Sequence, residues 1–224
     1  GLALESAQGS FLMKRLTTYG LVLAFCQVML LAMAPAAHAR EKLVLAIGDS
    51  LTSGYGLKPN ESFPAQLEAA LRKNGMDVRV HNAGVSGDTT TVGRNRLSWV
   101  LARVKAKPDL AIIELGANDM LRGQPPKQAK ANLDFIISSL KGRGIPVLLT
   151  GMKASYNLDK AYRAEFDAIY PALAKKHRVP LYPFYMDGVT GNREMLLPDQ
   201  LHPTAKGVAE IVRRITPQVR AALR

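Results

Sequence analysis

Cysteine is nearly absent from this chain. Cys26 is the single one in 224 residues and lies in an apolar N-terminal stretch. Residues 40–224 therefore can form no disulfide, supply no thiol nucleophile and build no cysteine metal site. Aromatics are scarce at 6%, with one tryptophan. Acids are outnumbered: 18 Asp and Glu face 30 Lys and Arg, a formal net charge of +12. The basic residues are scattered, with no arginine-rich arm and no interleaved aromatics, which argues against nucleic acid as a partner. They suit solubility, or weak contact with an anionic membrane surface or envelope polymer. No P-loop, G-x-G-x-x-G or H-E-x-x-H sequence occurs. Gly84-Val85-Ser86-Gly87-Asp88 lacks the last glycine of a G-x-S-x-G elbow, which disfavours an ordinary α/β-hydrolase.

The N-terminal 39 residues read differently from the rest. Met13-Lys14-Arg15 is a basic start, Leu21 to Ala34 an apolar core, and Ala37-His38-Ala39 a small-x-small cleavage signal. Together they predict a secretory signal peptide cut after Ala39, for a periplasmic or secreted protein. The apolar core is too short to span a bilayer, for which about 20 residues are needed. Residues 1–12 precede a natural-looking start at Met13. Residues 40–224 are expected to form one domain, large enough to bury a real core.

Within that domain, strand-like and helix-like segments alternate. Strands are predicted at Leu43–Ile47, Val78–Asn82, Leu110–Leu115, Pro146–Thr150 and Leu181–Tyr182. Helices are predicted at Pro64–Asn74, Arg94–Val104, Pro126–Lys141, Lys160–His177 and about Thr204–Leu223, the last interrupted near Pro217. Gly75, Gly142 and Gly144 stand where helix C-caps are expected. Trp99, with Leu97 and Leu101, reads as helix packing. Repeated β-α units imply an α/β protein, a three-layer α/β/α sandwich around a flavodoxin-like parallel sheet of about five strands.

Most of the chemistry-bearing residues fall just after predicted strands. Ser50 follows the first strand, and Gly87 belongs to the loop after the second. Asn118 and Asp119 follow the third, and the segment from Asp199 to Pro203, with His202, opens the final helix. A serine hydroxyl becomes a nucleophile once a base takes its proton, and histidine is the usual base near neutral pH. Asp199 lies three residues before His202, so in a turn or a helix start both can share a face and the carboxylate can orient the imidazole. Acyl transfer also needs donors for an oxyanion. The N–H groups of Ser50 and Gly87 and the Asn118 amide are suitable. His81 and His177 end a strand and a helix and read as structural.

These residues resemble the blocks of the GDSL, or SGNH, hydrolase family. Gly48-Asp49-Ser50-Leu51 is similar to its first block and Ser86-Gly87-Asp88-Thr89 to its second. Gly116-x-Asn118-Asp119 is similar to its third and Asp199-x-x-His202-Pro203 to its last. The likeness is nearest to the periplasmic thioesterase, lysophospholipase and arylesterase group, and Glu114–Gly123 and Ala168–Pro171 support it. The resemblance implies Ser50 as nucleophile, His202 as base and Asp199 as its orienter. It also implies an oxyanion hole from Ser50, Gly87 and Asn118, and no cofactor or metal. Asp119, Met120 and Leu121 are the substrate-binding residues that it implies, on a loop Asp119–Gly123 that resembles a mobile cover over the acyl groove. Met120 stands where relatives of that group commonly have glycine, which bears on acyl-chain preference.

The expected substrates are small acyl esters, thioesters or lysophospholipids. A carbohydrate O-acetylesterase using the same triad is the second reading, with Tyr55, Tyr156 and Tyr185 as candidate sugar-stacking groups. A non-catalytic envelope-binding protein on the same fold is a third.

Overall fold

The computed structural model describes residues 40–223. The predicted signal peptide lies outside the described residues. Five parallel strands form one sheet: β1 (Lys42–Gly48), β2 (Val78–Gly84), β3 (Leu110–Glu114), β4 (Val147–Thr150) and β5 (Leu181–Tyr182). Their spatial order is β2-β1-β3-β4-β5, with every neighbouring pair parallel. That order is the flavodoxin-like one. Its central strands are continuous apolar runs because both sheet faces are covered. Val44, Leu45, Ile112, Ile113 and Leu148 are all buried.

The helices form two layers. Helices α2 (Phe63–Lys73) and α8 (Ala205–Ala222) pack together. So do α3 (Thr90–Arg103) with α5 (Pro126–Gly142), and α5 with α7 (Ile169–His177). Shorter helices are α1 (Ser50–Ser53), α4 (Ala117–Leu121) and α6 (Lys160–Asp167). Each crossover returns the chain to the same edge of the sheet, so the C-terminal ends of β1, β2 and β3 lie side by side.

Several boundaries differ from the sequence expectation. The expected helix Lys160–His177 is two helices, α6 and α7, broken at Ala168. Pro171 lacks an N–H for the Asp167 carbonyl, and its ring crowds that carbonyl. Pro217, by contrast, does not interrupt α8, which runs through it. Helix α3 starts at Thr90, four residues earlier than expected, because the Thr89 hydroxyl accepts the Val92 N–H and caps it. Gly142 is the last residue of α5 rather than its cap, and Gly144, with φ 66°, takes the left-handed position.

Burial corrects other expectations. Trp99 is not packed inside but is 60% exposed, with the Arg103 guanidinium 4.7 Å above its ring. Tyr185 is fully buried and cannot stack on a sugar. The expected loop Asp119–Gly123 begins as α4 and then turns at Gly123, since Met120 is drawn into the core.

Candidate active site

The topological switch point of a 2-1-3-4-5 sheet lies between β1 and β3, where connections leave in opposite directions and a crevice opens. Ser50 follows β1 and Asn118 follows β3, so both stand at that crevice. Ser50 is the first residue of α1, and Asp49 caps that turn by accepting the Leu51 N–H at 2.9 Å.

His202 arrives from the other end of the chain. Its Nε2 is 2.9 Å from Ser50 Oγ and its Nδ1 is 2.6 Å from Asp199 Oδ2. A carboxylate only accepts, so Nδ1 carries the proton and Nε2 is left to accept from the serine hydroxyl. The Asp199 segment is a turn rather than the start of α8. Asp199 Oδ1 accepts the N–H groups of Leu201 and His202, and Gln200 sits at φ 59°, a left-handed conformation that closes the turn. The His202 backbone N–H, with the Leu201 N–H and the imidazole, holds the Asp199 carboxyl down at about 2. Tyr55 lies against the imidazole, ring centroids 4.4 Å apart.

The loop after β2 is fastened by Arg96. Its Nε pairs with Asp88 at 2.5 Å, and its Nη2 donates to the carbonyls of Gly48 and Ala83. Gly87, at φ 86°, has a backbone that only glycine adopts without strain. Among the described residues, neither the Ser50 N–H nor the Gly87 N–H is bonded to a protein acceptor. The Asn118 amide donates to Asp49 Oδ2 at 3.1 Å and to the Asp88 carbonyl at 3.0 Å. It ties the first block to the second.

A cavity of about 630 Å³ opens on Ser50, Asn118 and His202. Its walls include Met120, Leu121, Met152, Phe184, Met186 and Leu196, with Lys153, Arg163 and Tyr156 further along. Of the three residues expected at the substrate, Met120 and Leu121 line this cavity. Asp119 does not. It is fully buried and accepts from the Thr90 N–H at 2.8 Å and the Thr90 hydroxyl at 2.6 Å, bracing the start of α3. Burial pushes its carboxyl up, against the two Thr90 bonds. His177 pairs with Asp134 at 2.5 Å and does not line this cavity.

Sequence reasoning missed two groups, Glu114 and Thr52, and took Tyr55 as a sugar-stacking candidate without its contact to His202. Glu114 and Thr52 form a buried polar layer beneath Ser50, and Tyr55 covers His202. An acid ending an otherwise apolar strand, Leu110-Ala111-Ile112-Ile113-Glu114, was the signal for the first.

A hydroxyl, an imidazole and a carboxylate in series beside free N–H donors, at the switch point of this sheet, are the arrangement of a serine hydrolase, built for acyl transfer. Comparison with known proteins makes the assignment particular. The GDSL-like Lipase/Acylhydrolase family profile matches residues 46–209, and the chain belongs to that family. The arylesterase of Vibrio mimicus is 42% identical over 195 residues, spanning 86% of this chain and 93% of that protein. The thioesterase 1/protease 1/lysophospholipase L1 of Escherichia coli strain K12 is 36% identical over 160 residues, 71% of this chain and 74% of its own. Among solved structures, AlinE4, an SGNH-hydrolase family esterase, is 47% identical with a TM-score of 0.71. It is covered over 100% of its length by 84% of this chain.

Proposed function

We propose that Ser50, His202 and Asp199 carry out ester hydrolysis through an acyl-serine intermediate. The single observation that carries this is the unbroken series Ser50 Oγ–His202 Nε2 at 2.9 Å and His202 Nδ1–Asp199 Oδ2 at 2.6 Å. His202 takes the hydroxyl proton as Ser50 attacks the carbonyl carbon, then gives it to the leaving oxygen or sulfur. Water, deprotonated by His202, then releases the acid. The tetrahedral oxygen is received by the Ser50 and Gly87 N–H groups, and the Asn118 amide joins them through a three-centre bond. Variants of AlinE4 replace by alanine a serine and an aspartate at the same separation as Ser50 and Asp199, which supports this pairing.

The substrate class follows from the cavity. Its sulfur-rich and aromatic wall offers an apolar, adaptable surface to an acyl or aryl group. Aryl and short acyl esters, thioesters and lysophospholipids fit this reading, which the names of the Vibrio and Escherichia relatives support. Residues 13–39 are proposed to direct export, with the mature enzyme starting at Arg40 in the periplasm or outside the cell.

The test is hydrolysis of p-nitrophenyl esters from acetate to palmitate, with Ser50→Ala beside the native chain. Turnover falling at least a hundredfold in the variant is expected. A variant with near-native turnover would remove Ser50 from the mechanism.

A further inference from the structure

Glu114 is an acid placed where its strand is otherwise apolar and buried, and it is itself only 1% exposed. Such a group needs bonding partners to be retained there. The sheet register sets it beside Gly48, two residues before Ser50. Gly48 makes the room: a Cβ there would stand 2.6 Å from Glu114 Oε2 and 2.0 Å from Thr52 Oγ1.

The hydrogen bonds around the two acids are unequal. Both Asp49 oxygens accept from nitrogen, Oδ1 from the Leu51 N–H and Oδ2 from the Asn118 amide, as a carboxylate would. Glu114 Oε2 accepts the Thr52 hydroxyl at 2.7 Å and the Asp49 N–H at 3.3 Å. Glu114 Oε1 is buried and has no hydrogen-bond partner among the described residues. The bond from the Asp49 N–H to Glu114 Oε2 makes the two acids neighbours in one buried site. Two anions cannot share one dry site without strong repulsion, whereas one proton between them turns repulsion into a hydrogen bond. Burial first, then the Asp49 charge, pushes Glu114 well above the usual carboxyl range, and burial pushes Asp49 up to about 6. The other ionisable groups facing the pair are His202, which steadies the Asp49 charge, and the buried phenols Tyr170 and Tyr185.

We propose that Glu114 is a positioning residue for the hydrolysis: as the neutral acid it shares its proton with Asp49, and the pair holds the turn that presents Ser50. The Asp49 carboxylate anchors Leu51 on one side of Ser50 and the Asn118 amide on the other, so its placement sets both nucleophile and oxyanion donors. Loss of the shared proton on raising the pH sets Asp49 against Glu114 and loosens that turn. This inference rests on the reading of Ser50 as nucleophile.

The test compares Glu114→Gln and Glu114→Ala in the full chain, with kcat and KM for p-nitrophenyl butyrate from about pH 6 to 9 and folding followed by circular dichroism. Gln keeps the oxygen acceptor and offers an N–H where the acid offers O–H. E114Q is expected to hold kcat within about threefold at pH 7 and to lack the alkaline decline of the native enzyme. E114A, where folded, is expected to lose about tenfold or more in kcat with KM little changed. E114Q as damaged as a folded E114A, a folded E114A with native kcat, or an alkaline decline shared by native and E114Q would each overturn the proposal. Should E114A not fold, E114Q decides alone. Ser50→Ala in the same assay separates the two readings: full activity there defeats the nucleophile assignment, whereas an inactive S50A leaves only the Glu114 role in question.

Discussion

The Asp199 carboxylate grips His202 at two points, its backbone N–H at 3.0 Å through Oδ1 and its ring Nδ1 at 2.6 Å through Oδ2. One side chain therefore shapes the turn and sets the imidazole tautomer. In Asp199→Asn the amide oxygen can keep the backbone bond, but its NH2 group meets Nδ1 and drives the ring proton to Nε2, where it blocks acceptance from Ser50. We expect kcat to fall by about 10³–10⁴ with the fold intact. Because hydrogen bonds hold Asp199 at about 2, below its ordinary 3.8, its contribution to stability is complete above the ordinary value and is lost as pH falls through the lower one. Thermal scans of native protein and D199N should keep a constant gap from about pH 5 to 7 and converge towards about pH 2. A gap that closes already near pH 5 would contradict this.

Met120 is 7% exposed and forms part of the cavity wall. Met120→Ala removes that wall without breaking α4, since alanine is the best helix former. The expected outcome is a rise of about three- to tenfold in kcat/KM for p-nitrophenyl octanoate relative to the butyrate, the size of effect one or two methylenes produce. Stability should drop by about 2 kcal/mol, at the low end for a buried Met→Ala change because the cavity already flanks the side chain. An unchanged chain-length profile would show that Met120 does not gate the groove.

Trp99 and Phe135 are exposed, at 60% and 45%, and each carries a guanidinium over its ring, Arg103 at 4.7 Å and Arg94 at 4.3 Å. Helix α3 contains no acidic residue. This cationic and aromatic face suits a weak, screened attraction to anionic headgroups. As Trp99 is the single tryptophan, its fluorescence reports contact directly. A blue shift with phosphatidylglycerol vesicles at low salt is expected, reversed at about 0.5 M NaCl and absent with phosphatidylcholine. No shift on anionic vesicles would rule the contact out.

The strands, the β-α alternation and the blocks around Ser50, Asn118 and His202 were legible in the sequence because each depends on local chemistry. Leu43 to Ile47 is a run of apolar β-formers. Gly48-Asp49-Ser50 is turn chemistry, and the three-residue step from Asp199 to His202 fits a turn whatever the rest of the chain does. What lies within a few residues is decided by backbone preference and side-chain type.

Only the tertiary structure decided how deep each group sits and what it meets. Asp119 was expected at the substrate and is sealed against Thr90. Tyr185 was a candidate sugar-stacking group and is buried, while Trp99, read as helix packing, lies on the surface. Glu114 looked like the end of a strand and is half of a buried acid pair, brought beside Asp49 by the β1–β3 register across 65 residues of chain. Burial and charge pairing are sums over neighbours from distant segments, and no local run of residues contains that sum. The chemistry available to this protein is written in residue types at strand ends, and the state in which each group is held is set by the packing of the sheet and its helices.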